Sequence, residues 1–376
     1  MKILHIADIH IGDGEQYGEK LPGGKSARAA DLEARLEDVV QIVIDNNVKY
    51  VLFAGDAFKT RQPNPTRLRT FAFWVRKLAE FSTVCLLVGN HDLAASRKAS
   101  SIDVFDSVGM DNVHVFRGPG LHDFKDFQLI ALPYPVDVDT EGMGDLNWAL
   151  SKTLKTRLDT CLDRAHGFSP IIVMGHFSIV GADYGSERAV MLGKDVTMNE
   201  SDFDHPSIDY VAMGHLHRHQ VIGNKIVYPG SLLRLNFGEK NDLKGVVLVS
   251  LDNGDVKHEF IEVPDRPFVE AEMDLTSETD PTGKMMQVLK REWLVDAVFR
   301  FKIKIGREDL HRLDEAAIIE QANKMCWYFA GISKTVIGQH RTRLEKRASE
   351  LSDREIVKVF FEDDEQAIEA AMEYMQ

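Results

Sequence analysis

Residues 84–92 read VCLLVGNHD, in which an apolar run at 84–88 stops abruptly at Gly89 and three polar residues. Short apolar runs that end at a glycine and a polar cluster are typical of buried β-strands. Four more runs follow this pattern, at 2–7, 50–54, 170–174 and 209–213. Between the runs, apolar residues recur every three or four positions, as they do in helices. The helices predicted in this way are 28–47, 65–80 and 145–165. Alternating strands and helices predict an α/β fold.

After residue 219 the pattern changes to segments in which apolar and polar residues alternate. Two such segments, 245–251 and 256–262, flank Asn253 and Gly254, which form a typical hairpin turn. They predict a second sheet that packs against the first. The prolines near residue 264 and the polar run 276–284 indicate a domain boundary. The elements expected beyond that boundary are a strand at 297–305 and helices at 314–329, 341–350 and 362–375.

Length and composition are those of a folded chain with about two domains. The chain has 376 residues, of which 44% are hydrophobic and 28% are charged. No apolar run approaches the roughly 18 residues of a membrane span. Asp8 and His10 also interrupt the N-terminal run where a signal peptide is apolar, so we expect a cytoplasmic protein that does not contact membranes. The net charge of −14 opposes non-specific attraction to nucleic acid, so binding of DNA would require a local basic surface or a partner.

A polar motif follows each of the five apolar runs. The motifs are Asp8-Ile9-His10, Gly55-Asp56, Gly89-Asn90-His91-Asp92, Gly175-His176 and Gly214-His215-Leu216-His217. Open α/β sheets bind their ligands at the carboxyl ends of the strands, so we expect these side chains to meet. A single motif of this kind often arises by chance, whereas five in this order indicate a common site.

Together the motifs supply three aspartates, one asparagine and five imidazoles, but no thiolate. Mixed oxygen and nitrogen ligands suit Mn²⁺, Fe²⁺ or Zn²⁺ better than Ca²⁺ or a structural zinc ion. The set is larger than one cation can use. Two cations roughly 3.5–4 Å apart, bridged by one carboxylate, would hold a hydroxide and clamp a phosphoryl group. The motifs therefore predict hydrolysis of a phosphoester.

The order DxH, GD, GNH(D/E), GH and GHxH resembles that of the calcineurin-like metallophosphoesterases, over about residues 1–262. The resemblance implies a β-sandwich flanked by helices that holds two divalent cations, most commonly Mn²⁺. It implies that the ligands of the first cation are Asp8, His10, Asp56 and His217. It implies that the ligands of the second are Asp56, Asn90, His176 and His215. Asp56 would then bridge the two cations.

The same resemblance gives His91 a role in catalysis rather than in metal binding. His91 would contact the scissile phosphate and protonate or stabilise the leaving oxygen. Asp92 would orient the His91 ring. Both residues are therefore candidate catalytic residues.

The residues after Asp56 distinguish the branches of this superfamily. The stretch from Gly55 to Pro65 resembles the GDxF(H/D)xxxPxP of the SbcD-type DNA repair nucleases, and Tyr228-Pro229-Gly230-Ser231 and Phe237-Gly238-Glu239 match the same family. The resemblance implies a DNA exonuclease and endonuclease of double-strand-break repair and recombination. Lys59 departs from the pattern, because histidine or aspartate is usual there. A lysine at this position is either a phosphate contact or an exposed loop residue, which leaves the balance of exonuclease and endonuclease activity open.

This likeness also implies an organisation in three parts and a set of partners. Residues 1–264 would form the nuclease domain, 265–335 a small α+β capping domain that controls access of DNA, and 336–376 a helical segment. That segment would bind an SMC-like ATPase of the SbcC type. Gly23-Gly24-Lys25-Ser26 is an incomplete phosphate-binding loop, because its first glycine falls on Glu19. ATP would therefore bind to the partner and not to this chain.

Residues 59–79 carry six basic side chains and no acidic one. We expect Lys59, Arg61 and, after the GNHD motif, Arg97 to contact the phosphates of DNA; a solvated helix face is the alternative. The same segment also carries six large apolar residues: Leu68, Phe71, Phe73, Trp74, Val75 and Leu78. They indicate a homodimer interface, as in SbcD-type nucleases, or else packing within one subunit.

Two other functions remain open. A phosphomonoesterase or a small-molecule phosphodiesterase, such as one that acts on cyclic nucleotides, could use the same metal site. Such enzymes generally lack a long segment like the one after residue 262, which favours the nuclease. A scaffold that has lost catalysis is the non-enzyme alternative. The complete ligand set argues against it, because buried polar groups that converge without a cation are unfavourable.

Overall fold

The structure is a computed structural model that describes most of the chain before residue 338. The described residues are 1–94, 96, 99–135, 146–167, 169–187, 195–252, 255–337, 357, 369 and 372. The predicted helices at 341–350 and 362–375 lie almost entirely outside them, as do Arg97 and most of the expected partner-binding segment 336–376. Within the described residues, every helix is too short or too polar to cross a lipid bilayer.

The order of the elements alternates strand and helix in the first half and is mainly strand in the second. The strands of the described residues are β1 (Lys2–Ile6), β2 (Tyr50–Phe53), β3 (Thr83–Leu87), β4 (Val113–Phe116), β5 (Gly120–Asp123), β6 (Gln128–Leu132), β7 (Ile171–His176), β8 (Ser178–Ile179), β9 (Thr197–Met198), β10 (Ile208–Gly214), β11 (Gln220–Ile222), β12 (Ile226–Tyr228), β13 (Gly245–Asp252), β14 (Asp255–Glu262), β15 (Phe268–Asp274), β16 (Val298–Gly306) and β17 (Tyr328–Ile337). Their helices are α1 (Ala27–Asp45), α2 (Pro65–Ala79), α3 (Val104–Ser107), α4 (Leu146–Arg164), α5 (Pro281–Val288) and α6 (Glu315–Met325).

Two six-stranded sheets form the body of the molecule. The first has the order β14-β13-β1-β2-β3-β4, and the second has the order β11-β12-β10-β7-β6-β5. In the first sheet β1 to β4 are parallel and β13 joins β1 in the antiparallel sense. The prediction that the segments 245–251 and 256–262 form a second sheet is wrong, because β13 pairs with β1 and the hairpin of β13 and β14 extends the first sheet. In the second sheet β6, β7 and β10 are parallel. The predicted strands that precede the five motifs are therefore all confirmed, and they lie side by side within the two sheets.

The two sheets pack face to face around a shared apolar core. Buried side chains from both sheets, such as Leu52 and Met174, belong to one cluster between them. Helices α1 and α2 cover the outer face of the first sheet, and α4 covers the outer face of the second. This four-layered arrangement confirms the predicted metallophosphoesterase sandwich.

Local sequence signals fix where the first two helices begin. The Ser26 side chain accepts a hydrogen bond from the backbone N–H of Arg28 at 3.2 Å and caps α1. Asn64 caps α2 in the same way, and Pro65 occupies the first helical position, where its missing N–H is harmless. Ser26 of the incomplete phosphate-binding loop is thus a helix cap.

Residues 268–337 form a third, parallel sheet of order β15-β16-β17. Helices α5 and α6 contribute to its separate apolar core. Two sequence predictions are wrong here. The polar run 276–284 lies within this unit, because Asp280 caps α5 at that point. The helix predicted to end at 329 ends at Met325, and Tyr328 and Phe329 belong to β17. The division at residues 264 and 335 stays a prediction.

Candidate metal centre

All five motifs reach the same edge of the sandwich. Asp8, Asp56 and Asn90 follow the ends of the neighbouring strands β1, β2 and β3 by two or three residues. His176 ends β7, and His215 directly follows its neighbour β10. Because these five strands are parallel within their sheets, and the sheets face each other, their carboxyl ends meet.

The backbone around the centre adopts unusual conformations. Four motif residues other than glycine have a positive φ: Asp8 (54°), His10 (46°), Asp56 (60°) and His215 (93°). Each such residue costs about 1–3 kcal/mol, and such strain is concentrated at functional sites. Hydrogen bonds between motifs hold the strained turns: the backbone N–H of Asp8 donates to the Gly55 carbonyl at 3.0 Å, and that of His215 donates to the Asp8 carboxylate at 3.0 Å. The turns therefore support one another across the two sheets.

Close approach of two backbone segments explains why two motif positions are glycine. A Cβ atom on Gly89 would lie 2.2 Å from Oδ1 of Asp56, and one on Gly214 would lie 2.0 Å from the carbonyl oxygen of Ala54. Neither neighbour can move away without displacing a motif. Only glycine fits at these two positions.

The first group of potential ligands is Asp8, His10 and His217. One ligand atom from each lies within 4.8 Å of the others, and all three residues are buried. The Nε2 atoms of His10 and His217 are 3.0 Å apart, and Oδ1 of Asp8 lies 3.8 Å from Nε2 of His10. Two imidazoles and one carboxylate thus converge on one point.

A second group lies beside the first and consists of Asp56, Asn90, His176 and His215. The Oδ1 atom of Asn90 lies 3.0 Å from Nε2 of His176 and 3.1 Å from Nδ1 of His215. Asp56 faces both groups, because its Oδ2 lies 3.6 Å from Nε2 of His10 and its Oδ1 lies 3.4 Å from Nε2 of His176. The structure therefore brings together all seven residues predicted as metal ligands.

The donors in this centre fit two divalent cations. Carboxylate oxygens, an amide oxygen and imidazole nitrogens suit borderline cations such as Mn²⁺, Fe²⁺ or Zn²⁺. The shared carboxylate of Asp56 has one oxygen for each group. In addition, Nδ1 of His10 is buried without a hydrogen-bond partner among the described residues. Buried polar groups gathered in this way are unfavourable without a cation to neutralise them.

The electrostatics of the centre favour positive charge. Burial opposes the ionised form of Asp56, but the charges and hydrogen bonds of the nearby histidines outweigh it and hold the pKa of Asp56 far below its usual range. Burial alone would lower the pKa of His176, but Asp56 raises it to about 9. Burial and His217 hold the pKa of His10 well below its usual value, so His10 keeps a lone pair. The field that stabilises a protonated imidazole would also stabilise a metal cation.

Three of the imidazoles contact hydrogen-bond acceptors through the ring nitrogen that faces away from the centre. Nδ1 of His176 lies 2.6 Å from the carbonyl oxygen of Ala54. Nε2 of His215 lies 2.9 Å from Oδ1 of Asp195, and Nδ1 of His217 lies 3.3 Å from Oε1 of Glu239. Such partners fix the ring orientation and raise the basicity of the opposite nitrogen.

Sequence analysis did not assign these supporting roles. Glu239 lies in the quoted Phe237-Gly238-Glu239 stretch, but nothing in the sequence links it to His217. Its other oxygen accepts a hydrogen bond from the fully buried Lys244 at 2.6 Å, so the two charges neutralise each other. Asp195 lies in a region without a recognisable motif. Only the folded chain brings it to His215.

His91 and Asp92 lie at the centre but not in the predicted relationship. Nδ1 of His91 lies 2.7 Å from the carbonyl oxygen of Lys59, which orients the ring. The carboxylate of Asp92 accepts hydrogen bonds from the backbone N–H groups of Asp56, Ala57 and Gly89. In the part of the chain that the structure describes, it forms no hydrogen bond with the His91 ring. The prediction that Asp92 orients His91 is therefore wrong, because the backbone of two motif turns already occupies its oxygens.

The predicted substrate contacts are less clearly placed. The Lys59 side chain forms an ion pair with Asp13, and Arg61 is exposed. Acidic residues from other elements also pair with Arg67 and Lys77, and Glu80 pairs with Arg76. The six positive charges of 59–79 are thus largely neutralised in space. Arg61 and Arg69 form no ion pair within the described residues.

The apolar residues of α2 mostly serve the core. Phe71, Trp74, Val75 and Leu78 are buried against the first sheet, and Leu68 packs at the edge of that cluster. Phe73 alone among the six is largely exposed, at 55% of its surface. The alternative of packing within one subunit therefore accounts for five of the six residues, and a homodimer interface stays a prediction.

Comparison with known proteins agrees with this geometry. The family model "Calcineurin-like phosphoesterase" matches residues 1–219. The SbcD subunit of the nuclease SbcCD from Rhodobacter capsulatus is 31% identical over 286 residues, which cover 68% of this chain and 67% of that protein. The DNA double-strand break repair protein Mre11 of Archaeoglobus fulgidus is 26% identical over 345 residues, which cover 84% of this chain and 71% of that protein.

A third relative is the SbcD subunit of the nuclease SbcCD from Escherichia coli, which is 29% identical over 305 residues, or 74% of this chain and 72% of that protein. The family match spans more than half of the chain and includes every motif of the metal centre. A member of this family is a hydrolase of phosphoesters. The chain therefore belongs to the calcineurin-like phosphoesterase family, among the relatives of the SbcD-type nucleases.

Proposed function

We propose that this protein is a divalent-metal-dependent DNA nuclease of double-strand-break repair. The observation that carries the proposal is the shared position of Asp56, whose two oxygens face two complete groups of ligand atoms. Phosphodiester hydrolysis is the reaction for which paired cations are especially suited. The names of the relatives, two subunits of a nuclease and a double-strand break repair protein, support DNA as the substrate.

In this proposal the ligand groups described above hold one cation each. The first cation is held by Asp8, His10, Asp56 and His217, and the second by Asp56, Asn90, His176 and His215. Mn²⁺ is the proposed metal, since it accepts both carboxylate and imidazole ligands. When bound, the two cations supply positive charge for the phosphate oxygens and acidify water.

The protein's own residues position the substrate and move the proton. Nδ1 of His91 is held by the Lys59 carbonyl, so its Nε2 is the nitrogen available to the phosphate. Since Nδ1 donates its hydrogen to that carbonyl, the imidazolium form of His91 is the one that carries a second proton on Nε2; it would donate this proton to the leaving 3′ or 5′ oxygen as a general acid and become the neutral imidazole. Asp92 keeps the turns after β2 and β3 together and thereby fixes the distance between Asp56 and His91. Its role is that of a positioning residue.

The proposed partners follow from the relatives. DNA and an SMC-like ATPase of the SbcC type are proposed as partners, because the relatives are named as subunits of the SbcCD nuclease. Residues 265–335 are proposed to cap the centre, and 336–376 to bind the ATPase. A homodimer and a cytoplasmic location stay predictions.

The test is hydrolysis by the purified chain, with and without Mn²⁺, of three substrates in parallel. They are a labelled linear duplex DNA, a chromogenic phosphodiester and a phosphomonoester. The proposal predicts Mn²⁺-dependent cleavage of the DNA and of the phosphodiester. Turnover of the small esters alone, even after the ATPase is added, would exclude the nuclease and favour a small-molecule phosphatase or phosphodiesterase.

A further inference from the structure

A buried lysine next to the metal centre has no part in the chemistry described so far. Lys244 directly precedes β13, and only 1% of its surface is exposed. Strand β13 runs antiparallel to β1, with Val247 opposite His5, so it begins at the sandwich edge where β1 ends. Asp8 and the other ligands lie at this edge. Lysine is almost never fully buried unless its charge is paired, so the place of Lys244 needs an explanation.

Three acceptors surround the ammonium group of Lys244. Its Nζ atom donates hydrogen bonds to Oε2 of Glu239 at 2.6 Å, to Oγ of Ser231 at 2.9 Å and to the backbone carbonyl oxygen of His217 at 3.0 Å. An ammonium group has three hydrogens, so each of them has an acceptor. These contacts hold the charge in one place, although the lysine side chain is flexible by itself.

Two of the three acceptors lead to the same metal ligand. One is the backbone carbonyl of His217, and the other is Glu239, whose Oε1 lies 3.3 Å from Nδ1 of the His217 ring. Lys244 and Glu239 therefore connect the backbone of His217 to its own side chain in a closed ring of contacts. The opposite ring nitrogen, Nε2, lies 3.0 Å from Nε2 of His10 in the first ligand group. The closed ring restricts the rotation of the imidazole and hence the position of Nε2.

The position of Glu239 depends on the charge of Lys244. Glu239 is itself fully buried. Its carboxylate also accepts hydrogen bonds from the backbone N–H of Leu235 at 3.1 Å and from Nδ2 of Asn236 at 3.2 Å, but both donors are neutral. A buried carboxylate that loses its counter charge is strongly unfavourable. Without Lys244, Glu239 would turn away from the His217 ring and toward water.

The other two supported imidazoles have simpler partners. The partner of His176 is the neutral backbone carbonyl of Ala54. The partner of His215 is Asp195, which accepts a hydrogen bond from the neutral hydroxyl of Ser178. Within the described residues, neither partner forms an ion pair with a lysine or an arginine. A buried ion pair therefore distinguishes the support of the first ligand group from that of the second.

We propose that Lys244 is a positioning residue that sets the affinity of the first cation by holding Glu239 against the His217 ring. The inference rests on the two-cation centre of the proposed function, but not on the identity of the substrate. The partners of a metal-binding histidine orient its ring, and their loss typically weakens metal binding by about 10–100-fold. Here the partner is held by a further charge, so the support extends one residue farther from the cation.

The charge of Lys244 gives the inference a distinctive sign. Like charges repel, so removal of this ammonium group would by itself strengthen the binding of a nearby cation. Displacement of Glu239 from the ring would weaken it. A loss of Mn²⁺ affinity after removal of Lys244 therefore indicates positioning and not a change of charge.

The experiment compares Lys244→Met with the matched control Lys240→Met. Lys240 carries the same charge and adjoins Glu239 in sequence, but it pairs with Glu270 of β15 at 3.1 Å. Leu248→Ala, in the core next to β13, controls for a general loss of stability. Titration calorimetry measures the affinity and stoichiometry of Mn²⁺. Mass spectrometry counts the ions that each variant retains at the concentration that just saturates the parent.

We expect Lys244→Met to weaken one of the two Mn²⁺ sites by about tenfold or more, so that one ion per chain is retained where the parent retains two. Lys240→Met and Leu248→Ala should both retain two ions, although Leu248→Ala lowers the thermal midpoint because it leaves a cavity. Excess Mn²⁺ should restore the hydrolysis of the chromogenic phosphodiester by Lys244→Met, since Lys244 acts on the affinity for the cation.

Glu239→Gln provides a second route to the same answer if Lys244→Met does not fold. Glu239→Gln should weaken one Mn²⁺ site as well. Adding Lys244→Met to Glu239→Gln should cause no further loss, because the two residues act as one unit. The double variant buries no unpaired charge, so it should fold even where the single variant does not.

Three results would overturn the inference. One is an Mn²⁺ affinity of Lys244→Met equal to or higher than that of the parent. Another is an equal loss at both sites, shared by Leu248→Ala, which would indicate a general loss of structure. The third is a double variant in which the losses of Lys244→Met and Glu239→Gln add. If the parent binds two Mn²⁺ and one of these results is obtained, the role of Lys244 alone fails, whereas a parent that binds a single Mn²⁺ would contradict both this role and the two-cation centre.

Discussion

The metal centre and the basic segment 59–79, which begins three residues after Asp56, relate to the sequence in opposite ways. The seven predicted ligands are scattered over more than 200 residues and meet within one site. The six basic residues are clustered in sequence, but acids from other elements neutralise most of them in the fold. The end of a strand fixes the position of a ligand residue through the backbone. The charge of a surface segment depends instead on which charged residues of other elements lie next to it in the fold.

The largest effect should come from the residue shared by the two ligand groups. Asp56→Asn should reduce kcat/KM for a chromogenic phosphodiester by about 10³-fold or more, because paired cations stabilise the transition state by several kcal/mol. Metal content, measured by mass spectrometry after dialysis, should fall as well. Asp45→Asn, at the exposed end of α1, is the control and should keep full activity. Wild-type activity of Asp56→Asn would show that catalysis does not depend on a carboxylate shared by the two ligand groups.

His91 should separate catalysis from metal binding. His91→Asn should lower kcat by about 10²–10⁴-fold, since it removes the proposed general acid. The metal content should stay at the wild-type level because His91 is not among the proposed ligands. Kinetics and metal analysis of the same preparation check both points. Loss of bound metal in this variant would make His91 a ligand instead.

A smaller effect is expected from the acceptor behind His215. Asp195→Ala should weaken the affinity for Mn²⁺ by about 10–100-fold, because the ring loses the partner that orients it. Asp195→Asn keeps an acceptor oxygen and should lose less. Titration calorimetry measures both, with Glu259→Ala on the exposed side of β14 as the control. If Asp195→Ala bound Mn²⁺ with the same affinity as Glu259→Ala, the contact between Asp195 and His215 would not contribute to metal binding.

The smallest effect concerns the basic segment. Arg61→Gln should reduce the slope of log affinity against log salt for DNA by about 0.9, as expected for one phosphate contact. Arg67→Gln should change the slope much less, because Arg67 already pairs with Glu15 at 2.9 Å. Measuring the DNA affinity of both variants from low to moderate salt concentration tests this prediction. Equal slopes for the two variants would show that ion pairing within the fold does not decide which arginines reach DNA.

The sequence predicted the strands that precede the motifs because their signals are local, whereas the sandwich followed from the resemblance to the metallophosphoesterases. Runs such as 84–88 are buried on both faces and stop at glycines that the close approach of Asp56 demands, as at Gly89. The ligands follow those runs within four residues. The strand end therefore determines both the fold and the position of the site.

What the sequence did not predict depends on contacts between distant segments. Asp195 reaches His215, and Glu239 reaches His217, only after the two sheets have packed. Asp92 was expected beside its sequence neighbour His91, but three backbone N–H groups bind its carboxylate instead. The strands β4, β5 and β6 were not predicted from the sequence either.

The most direct test of the account is the stoichiometry and magnetic interaction of bound Mn²⁺. Equilibrium dialysis followed by electron paramagnetic resonance should give two Mn²⁺ per chain with a spin-coupled spectrum, because one carboxylate serves both ligand groups. Asp56→Asn should remove the coupling. A single Mn²⁺ per chain, or two with independent spectra, would contradict the shared role of Asp56 and the two-cation centre built on it.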